Sequence, residues 1–496
     1  RPARGPTTII AAGDLAPRAE MQLAPPLSQF IPGTWKASAT FGGVVHYDVA
    51  GLVQDLDDYP LWCLEQATSR GFPLAVLQDG PVAGPDRAAR LQQAVGFVLD
   101  RQRFDGGFGL WSASEEAEPW LSVYATDFLL RARQAGAAIP DQALIDAKKF
   151  IAGAADEPGD KPDDMAAQAY RLYVLALAGQ GRPGAARVMA ERINTLPTPL
   201  AKAQIGAALA LAHDEPRAQA AFTAALAAPA RKWWSFDYGT ALRDQAAIAV
   251  LLKESGLPGD QLKKLVDAMP GADLSPETLS TQEQAWAATA GAVLSRGAAP
   301  AHVALDGKDL PEGPVVSVAL SGPASVRNLS SQPVWRAVSA TGVPASPLPA
   351  ARSGMRITRQ YKTLDGQTLD LDHLKQNQVF VIVLDGKAED GQPHRAMILH
   401  GLPAGWEVAG KLSSGDVPGM SWLGKLSDTE AQPAADDRYA AVVALTPEHP
   451  DFHLAVRIRA VTPGTFELPG AEVADMYRPG VFARQAAGRI TIVGAE

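Results

Sequence analysis

The sequence predicts a multidomain protein of mixed α and β structure. In this prediction an α/α toroid of helical hairpins is inserted in a β-sandwich domain, and a second antiparallel β-sandwich follows. Three observations support this fold class. The chain has 496 residues, more than one ordinary domain core holds. Its middle is rich in alanine with helical periodicity, and its last part alternates apolar and polar residues.

Four segments follow from these changes in pattern. Residues 1–58 carry short apolar runs between Pro, Gly and Thr, which indicates strands and loops. Residues 59–297 hold roughly ten to twelve helices with short connections and no fixed-length repeat, which favours a closed ring over a repeat array. Because 1–58 is too short for a sandwich, we expect it to share one β domain with 298–350. The last domain is predicted at 351–496.

The β segments are recognised by their period of two. Along Phe452–Arg459, the residues Phe452, Leu454, Val456 and Ile458 point to one side and the polar residues to the other. Pro and Gly separate such segments, as expected for antiparallel sandwiches. Further strands are predicted at Val315–Leu320, Val379–Leu384, Tyr439–Leu445 and Arg489–Val493.

Composition excludes several classes of function. The formal net charge of −9 disfavours a nucleic-acid partner. No apolar run reaches the length of a membrane span, and no signal peptide is recognisable. Because Cys63 is the single cysteine and the histidines are scattered, we expect neither an intramolecular disulfide nor a metal site. No cofactor is predicted.

The cysteine has a chemically suggestive neighbour. Cys63 and Gln66 are three residues apart, which places both side chains on one face of a helical turn. Pro60 suits a helix start, so Cys63 is expected in the first turn, where backbone amides favour a thiolate. Such a thiolate can displace ammonia from the glutamine side chain and form an internal thioester. On this spacing alone, a buried and inert cysteine remains an open alternative.

The segment Cys63-Leu64-Glu65-Gln66 resembles the Cys-x-Glu-Gln thioester motif of alpha-2-macroglobulins and complement thioester proteins. The flanks resemble the bacterial branch of this protease-inhibitor family, and the resemblance extends over nearly the whole chain to the C-terminal part of those proteins. The other matching segments, in the expected order, are Phe30-Ile31-Pro32-Gly33, Tyr59-Pro60, Thr68-Ser69-Arg70, Leu402-Pro403-Ala404-Gly405-Trp406-Glu407, Asp436-Asp437-Arg438, Arg459-Ala460-Val461-Thr462-Pro463-Gly464-Thr465-Phe466 and Asp475-Met476-Tyr477-Arg478-Pro479.

The resemblance implies a fold and a function. The helical segment would be the thioester domain, the β domain around it would be CUB-like, and the last domain would be a macroglobulin-type β-sandwich. The intact protein would be a broad-spectrum protease inhibitor that protects the bacterial cell from host or competitor proteases. It would trap proteases and couple to their lysine amines. It would not be an enzyme, because the acyl donor is consumed once.

The resemblance also assigns residues. Cys63 would supply the thioester thiol and Gln66 the acyl group, while Tyr59, Met476 and Tyr477 would shield the bond from water. Core packing is the alternative role of Met476 and Tyr477. Trp62 departs from the glycine common at that position in the family, and Glu65 belongs to the motif with either a capping or a chemical role.

Two further expectations concern the nucleophile and the location. Some complement relatives use a histidine of the helical domain as an intermediate nucleophile, but within 59–297 only His213 occurs, beside Asp214-Glu215-Pro216. We therefore expect a solvated loop histidine and transfer to amines.

The resemblance places the intact protein, a monomer, in the periplasm as an inner-membrane lipoprotein, attached through a part that precedes Arg1. No bait segment is recognisable.

Three alternatives remain open from the sequence. A terpene-cyclase-like toroid enzyme is suggested by Asp55-Leu56-Asp57-Asp58 and by the single Gln102-Arg103-Phe104-Asp105-Gly106-Gly107-Phe108-Gly109-Leu110-Trp111 stretch, although the acidic motif precedes the helices. A toroid glycosidase would need two carboxylates across a cleft. Its candidates by residue type are Asp105, Glu115, Asp127, Asp237 and Asp244. A scaffold module with an inert cysteine is the third.

Overall fold

The structure is a computed structural model that describes residues 5–42, 46–59, 62–77, 82–84, 86–155, 159–231, 236–269, 278–433 and 435–494. The chain divides into two compact units. The helical unit comprises Thr8–Pro25 and Lys36–Ala340. The C-terminal unit comprises the described parts of Arg1–Thr7, Pro26–Trp35 and Thr341–Glu496. Each unit is built from its own segments and has its own core.

Twelve α-helices lie in the described part of the helical unit. They are α1 (Val49–Asp58), α2 (Leu64–Val76), α3 (Arg87–Leu99), α4 (Pro119–Gln134), α5 (Asp141–Ala155), α6 (Pro162–Leu177), α7 (Pro183–Glu191), α8 (Pro199–Leu211), α9 (Glu215–Ala227), α10 (Ala241–Ser255), α11 (Gln261–Ala268) and α12 (Thr281–Leu294). Helix α1 begins before residue 59, within the segment where the pattern predicts strands and loops.

The even-numbered helices contact one another in cyclic order. Helix α2 packs against α4, then α6, α8, α10 and α12 follow, and α12 packs back against α2. These inner helices are buried around most of their circumference, and their many alanines allow close approach. The odd-numbered helices lie outside and bury one stripe each, as α3 does with Leu91, Ala94, Val95 and Val98. No helix of the described chain combines the length and apolarity needed to cross a membrane.

Helix starts in this ring follow the sequence signals. The hydroxyls of Thr198 and Thr240 accept backbone N–H groups at the starts of α8 and α10. Ser280 and Glu283 form a capping box at the start of α12. Helices α4, α6, α7 and α8 each begin with a proline, which lacks the N–H that would be unpaired there.

Strands on both sides of the helices in sequence share the same sheets. One sheet has the order β1-β8-β3-β6, and the other has the order β2-β7-β4-β5. In the sequence, the helices are therefore inserted between two groups of strands that pair with each other in the same sheets. The strands are β1 (Thr7–Leu15), β2 (Glu20–Leu23), β3 (Lys36–Gly42), β4 (Val303–Leu305), β5 (Lys308–Asp309), β6 (Val315–Leu320), β7 (Ala324–Asn328) and β8 (Val334–Gly342).

The C-terminal unit is mainly antiparallel. Its larger sheets have the orders β10-β12-β18-β14 and β17-β13-β20-β21-β9. Phe452, Leu454, Val456 and Ile458 of β18 are all buried in one core, which confirms the predicted alternation. The strands are β9 (Ala351–Ser353), β10 (Met355–Lys362), β11 (Leu374–Lys375), β12 (Val379–Ala388), β13 (His394–Gly401), β14 (Trp406–Lys411), β15 (Gly415–Asp416), β16 (Lys425–Leu426), β17 (Arg438–Leu445), β18 (Asp451–Ala460), β19 (Gly464–Leu468), β20 (Ala471–Asp475), β21 (Arg478–Arg484) and β22 (Gly488–Val493).

Two helical glycines give a matched test of packing in the ring. A Cβ added to Gly71 of α2 would lie 2.4 Å from the ring of Phe128 on α4 and 2.8 Å from Ala94 on α3. We expect Gly71→Ala to lower the free energy of unfolding by about 1–3 kcal/mol because the core is overpacked. Gly96 of α3 has open space. Gly96→Ala should instead raise stability by roughly 0.5–1 kcal/mol. Urea unfolding followed by circular dichroism measures both, and equal effects would contradict the packing argument.

Candidate functional site

The candidate site lies at the start of α2, an inner helix of the ring. Cys63 is the N-cap residue of α2, with extended backbone (φ −69°, ψ 173°). The helix thus starts at Leu64, four residues after the predicted start at Pro60, so Cys63 precedes the first turn instead of lying in it. The predicted start at Pro60 lies outside the described residues. Cys63 is thus the N-cap residue and Gln66 is the third residue of the helix.

Cys63 and Gln66 are brought together by this geometry. In the reciprocal arrangement of a capping box, the backbone N–H of Gln66 faces the Cys63 side chain. The Gln66 side-chain oxygen accepts the backbone N–H of Cys63 at 3.1 Å. Cys63 is 0 % exposed and Gln66 is 3 % exposed. The structure therefore holds a thiol and a side-chain amide at one buried helix terminus.

The amide nitrogen of Gln66 has an unusual position. Its Nε2 atom is buried and has no hydrogen-bond partner among the described residues. An unpaired buried polar group costs about 1–3 kcal/mol. Nε2 is also the atom that would leave as ammonia if the Cys63 sulfur attacked the side-chain carbonyl. The site thus provides a hydrogen bond to the Gln66 side-chain oxygen and none to its amide nitrogen among the described residues.

Arg101 places a positive charge near the cysteine. Its guanidinium donates hydrogen bonds to the backbone carbonyls of Trp62 and Phe97. Burial lowers the pKa of Arg101, and the charge interaction with Cys63 opposes that shift. A neighbouring cation favours a cysteine thiolate. The sequence motif alone gave no sign of Arg101, because it lies 38 residues after Cys63, at the end of α3.

The loop after α3 supports the start of α2. The Leu64 N–H donates to the Leu110 carbonyl at 2.8 Å. This loop contains the Gln102–Trp111 stretch, whose tight turn has Gly106 at φ 90° and an isolated bridge between Gln102 and Phe108. The stretch thus forms a turn that places the Leu110 carbonyl against the first residue of α2.

Glu65 lies in the interior of the ring. Its two carboxylate oxygens accept the hydroxyls of Ser69 at 2.6 Å and of Thr281, on α12, at 2.7 Å. The Ser69 hydroxyl is also 3.1 Å from that of Tyr124 on α4. Burial raises the pKa of Glu65 to about 7, although both hydroxyls and the charge of Arg243 lower it in part. Glu65 therefore ties α2 to α12 through side chains, and its oxygens do not cap backbone amides.

The raised pKa of Glu65 predicts a pH effect on stability. A carboxyl whose pKa is higher in the folded state than in the unfolded state binds more protons when folded, so stability falls as pH rises from about 4.5 to about 7. The loss is on the order of 3 kcal/mol. Glu65→Gln, which cannot ionise, should remove this part of the pH dependence. The test is to measure the free energy of unfolding of both proteins by urea, at about pH 5 and about pH 8. If the free energy changes equally with pH in both proteins, the prediction is contradicted.

A larger charged cluster lies near Glu65. Arg243 of α10 is 0 % exposed and donates to Asp244 (2.9 Å), Gln282 (2.8 Å) and Asp237 (2.7 Å). Arg231 pairs with the same two aspartates. A second cluster joins Asp127 and Arg131 of α4 at 2.8 Å. Three of the carboxylates considered for a glycosidase are thus buried in ion pairs and do not face each other across an open cleft.

The remaining acidic candidates are also accounted for by local contacts. Asp57, of the Asp-rich motif at the end of α1, pairs with Arg70 at 2.9 Å and with Arg90. Asp105 pairs with Arg103 and bonds the Gly107 N–H, and Glu115 accepts the Trp111 N–H. Among the described residues, no group of three or more His, Cys, Asp and Glu side chains could hold a metal ion.

The predicted shielding residues lie in different parts of the chain. Tyr59 is the C-cap residue of α1 and is half-buried. Met476 and Tyr477 lie in the turn between β20 and β21 of the C-terminal unit, and both are buried. The Asp475 carboxylate accepts the Tyr477 N–H at 2.8 Å. His394 and Arg478 hold that carboxylate at 2.7 and 2.9 Å. The shielding role of these residues stays a prediction.

His213 has the predicted character of a loop residue. It follows Ala212, the C-cap residue of α8, is exposed, and has a left-handed backbone conformation with φ 57°. Its neighbour Asp214 pairs with Arg187 and Arg217. Nothing in these contacts links His213 to the start of α2.

Comparisons with known proteins identify the class. Residues 354–480 match the family model described as the bacterial alpha-2-macroglobulin MG10 domain. Over 504 residues the chain is 30% identical to the alpha-2-macroglobulin of Escherichia coli K12, covering 94% of this chain and 30% of that protein. Identity to the alpha-2-macroglobulin of Xylella fastidiosa Temecula1 is 26% over 510 residues, covering 93% and 31%. The chain thus spans about a third of the length of these curated relatives.

Solved structures agree in fold. Native E. coli alpha-2-macroglobulin from domain MG7 to the C-terminus matches 99% of this chain and 83% of that chain, with TM-score 0.84 and 27% identity. A Salmonella alpha-2-macroglobulin, described as reacted with methylamine, matches 99% and 34%, with TM-score 0.85 and 28% identity. The fold and the sequence matches define a bacterial protein of the macroglobulin class. The chain belongs to the bacterial alpha-2-macroglobulin family.

Proposed function

We propose that this chain carries the reactive part of a protease inhibitor, in which Cys63 and Gln66 form an internal thioester. The observation that carries the proposal is the buried Cys63–Gln66 capping box, with its unpaired amide nitrogen. Membership of the family supports the same function, since its relatives are named alpha-2-macroglobulins. The inner ring of helices would be the α/α-toroid thioester domain, and the sheets formed by β1–β8 would be the CUB-like domain around it.

The proposed chemistry has two steps. In the first, the Cys63 thiol gives up its proton and the thiolate attacks the side-chain carbonyl carbon of Gln66. A C–S bond forms, the C–Nε2 bond breaks, and Nε2 takes up that proton and leaves as ammonia. In the second, an amine attacks the same carbon, the C–S bond breaks, and its electron pair returns to sulfur as a thiolate. The amine loses one proton to solvent and an amide remains. The cation of Arg101 beside Cys63 favours the thiolate in both steps.

Such a bond survives only where water is excluded. Cys63 and Gln66 are buried, as the proposal requires. We assign shielding to Tyr59, Met476 and Tyr477, on the family resemblance. In the intact protein, we propose, a protease triggers exposure of the bond and is captured through a lysine amine in the periplasm. The protein would act once per molecule.

The position of His213 predicts the preferred nucleophile. Because this exposed histidine lies just after α8 and no hydrogen bond within the described part of the chain joins it to the start of α2, the acyl group should pass directly to amines. We expect methylamine to be incorporated at least about tenfold faster than glycerol at equal concentration, because amines are the stronger nucleophiles in uncatalysed thioester cleavage. Mass spectrometry of both products measures the ratio. Equal rates of incorporation would contradict direct transfer.

The proposed function is tested by the intact mass of the chain with and without methylamine. A thioester gives a mass one ammonia below the sequence value. Methylamine should then add its own mass and expose one thiol to a thiol reagent. A mass equal to the sequence value, with Cys63 titratable from the start and no methylamine uptake, would contradict the proposal. A mass raised by conversion of Gln66 to glutamate, with a titratable thiol, would show a bond that formed and was hydrolysed.

A further inference from the structure

Trp62 precedes the candidate thioester cysteine and makes three contacts, two through its ring and one through its backbone carbonyl. Its ring packs on Phe97 of α3 with 4.1 Å between ring centroids. The guanidinium carbon of Arg70 lies 3.9 Å from the ring centroid. The Trp62 carbonyl accepts a hydrogen bond from Arg101. We name the group of Trp62, Phe97 and Arg70 the tryptophan clamp.

The tryptophan clamp lies on the reactive face of α2. Cys63, Gln66 and Arg70 follow one another at spacings of three and four residues, so they lie along one side of this helix. The ring of Trp62 covers the guanidinium of Arg70, one turn beyond Gln66. Trp62 and Arg70 are half-buried, whereas Cys63 and Gln66 are almost fully buried. The clamp is therefore an outer layer on the side that carries the thiol and the amide.

The clamp is anchored in its surroundings. Arg70 donates to Asp57 of α1 at 2.9 Å, and Arg90 of α3 pairs with the same carboxylate. Arg101 also donates to the Phe97 carbonyl. Aromatic packing and a cation over an aromatic ring each stabilise the arrangement in which they occur. The contacts with Phe97 and Arg70 therefore favour this position of the Trp62 ring.

We propose that Trp62 is a specificity-determining residue of this chain, which restricts the approach of nucleophiles to the Gln66 acyl carbon. The inference rests on the proposed thioester. The ring lies next to Cys63 in sequence and over Arg70 in space, and so narrows the path along the Cys63–Gln66 face. Water and small amines then react slowly, and bulky amines are hindered most. The residue acts by exclusion and takes no part in the transfer of protons or electrons.

The test compares four proteins: the wild-type chain, Trp62→Gly, Trp62→Phe and Trp422→Gly. Thiol release is followed with methylamine and with benzylamine. Trp62→Gly should accelerate methylamine cleavage at least about tenfold, and benzylamine cleavage by a larger factor, because a steric barrier grows with nucleophile size. Trp62→Phe keeps a ring on Phe97 and should stay within about threefold of wild type. Trp422, half-buried on Gly366 in the C-terminal unit, is the matched control, and its loss should not change the rates.

The outcomes separate this inference from the proposed function. A wild-type chain that releases a thiol with methylamine while Trp62→Gly reacts at the same rate would overturn the inference and keep the thioester. Equal acceleration by Trp62→Gly and Trp422→Gly would also overturn it, because general loosening would then explain the effect. If Trp62→Gly does not fold, the same rates are measured on the variant Arg70→Gln. That variant removes the cation from the ring face and should accelerate benzylamine more than methylamine; an unchanged ratio would overturn the inference.

Discussion

Cys63→Ala is expected to abolish methylamine incorporation and the ammonia-sized mass deficit together. The reason is that alanine has no sulfur, so the Gln66 carbonyl has no attacking group and stays an amide. The effect is complete, because a primary amide does not exchange with methylamine on the time scale of the experiment. Intact mass and thiol titration measure the loss. Residual methylamine uptake at Gln66 in this variant would contradict the assignment of Cys63 as the thiol.

Gln66→Asn separates the acyl donor from the thiol. Asparagine keeps an amide but shortens the side chain by one methylene, so its carbonyl no longer reaches the N-cap position where the Gln66 oxygen accepts the Cys63 N–H. We expect no thioester and a Cys63 thiol present from the start. Gln219→Asn on α9, where the side chain bonds the Pro258 carbonyl, is the matched control and should leave uptake unchanged. Thioester formation in Gln66→Asn would contradict the geometry.

Much of the fold was predictable from local patterns. The predicted strands Val315–Leu320, Val379–Leu384, Tyr439–Leu445 and Arg489–Val493 all lie within observed strands, because alternation of apolar residues reports one buried face. The helices between 59 and 297 follow from alanine-rich periodicity with proline at several starts. Helix α1 was missed, because its Asp-rich end resembles a loop and its residues follow strand-like runs.

The site was predictable only in part. The Cys63–Gln66 pair is local in sequence, so the motif and its spacing were enough to find it. The partners of the adjacent Glu65 were not predictable, because Thr281 is 216 residues away and is brought close by the packing of α12 on α2. The positions of Arg101 and of the buried Arg243 of α10 depend on the same long-range packing. Neither the spacing of these arginines nor the composition around them distinguishes them from the other arginines of the sequence.

The largest expected effect on stability comes from Arg243, whose guanidinium is enclosed by partners on three sides. Arg243→Met would leave Asp237, Asp244 and Gln282 each without one donor. Arg231 would still pair with both buried aspartates, but loss of the Arg243 charge would make the cluster more negative by one charge. Breaking a buried ion pair on one side costs about 3–5 kcal/mol. That is a large part of the total stability of a typical domain, which is about 5–15 kcal/mol.

Urea unfolding of the helical unit, followed by far-UV circular dichroism, measures this loss. Arg217→Met is the matched control, since Arg217 pairs with Asp214 at the surface, where solvent screens an ion pair and its contribution to stability is small. The double variant Arg243→Met with Asp244→Asn removes one charge of each sign, and should recover part of the stability because the net buried charge returns to that of the wild type. Equal unfolding midpoints for Arg243→Met and Arg217→Met would mean that water reaches the cluster and screens it. In that case the raised pKa of the adjacent Glu65 would have to relax toward its ordinary value as well, since both depend on the same dry interior.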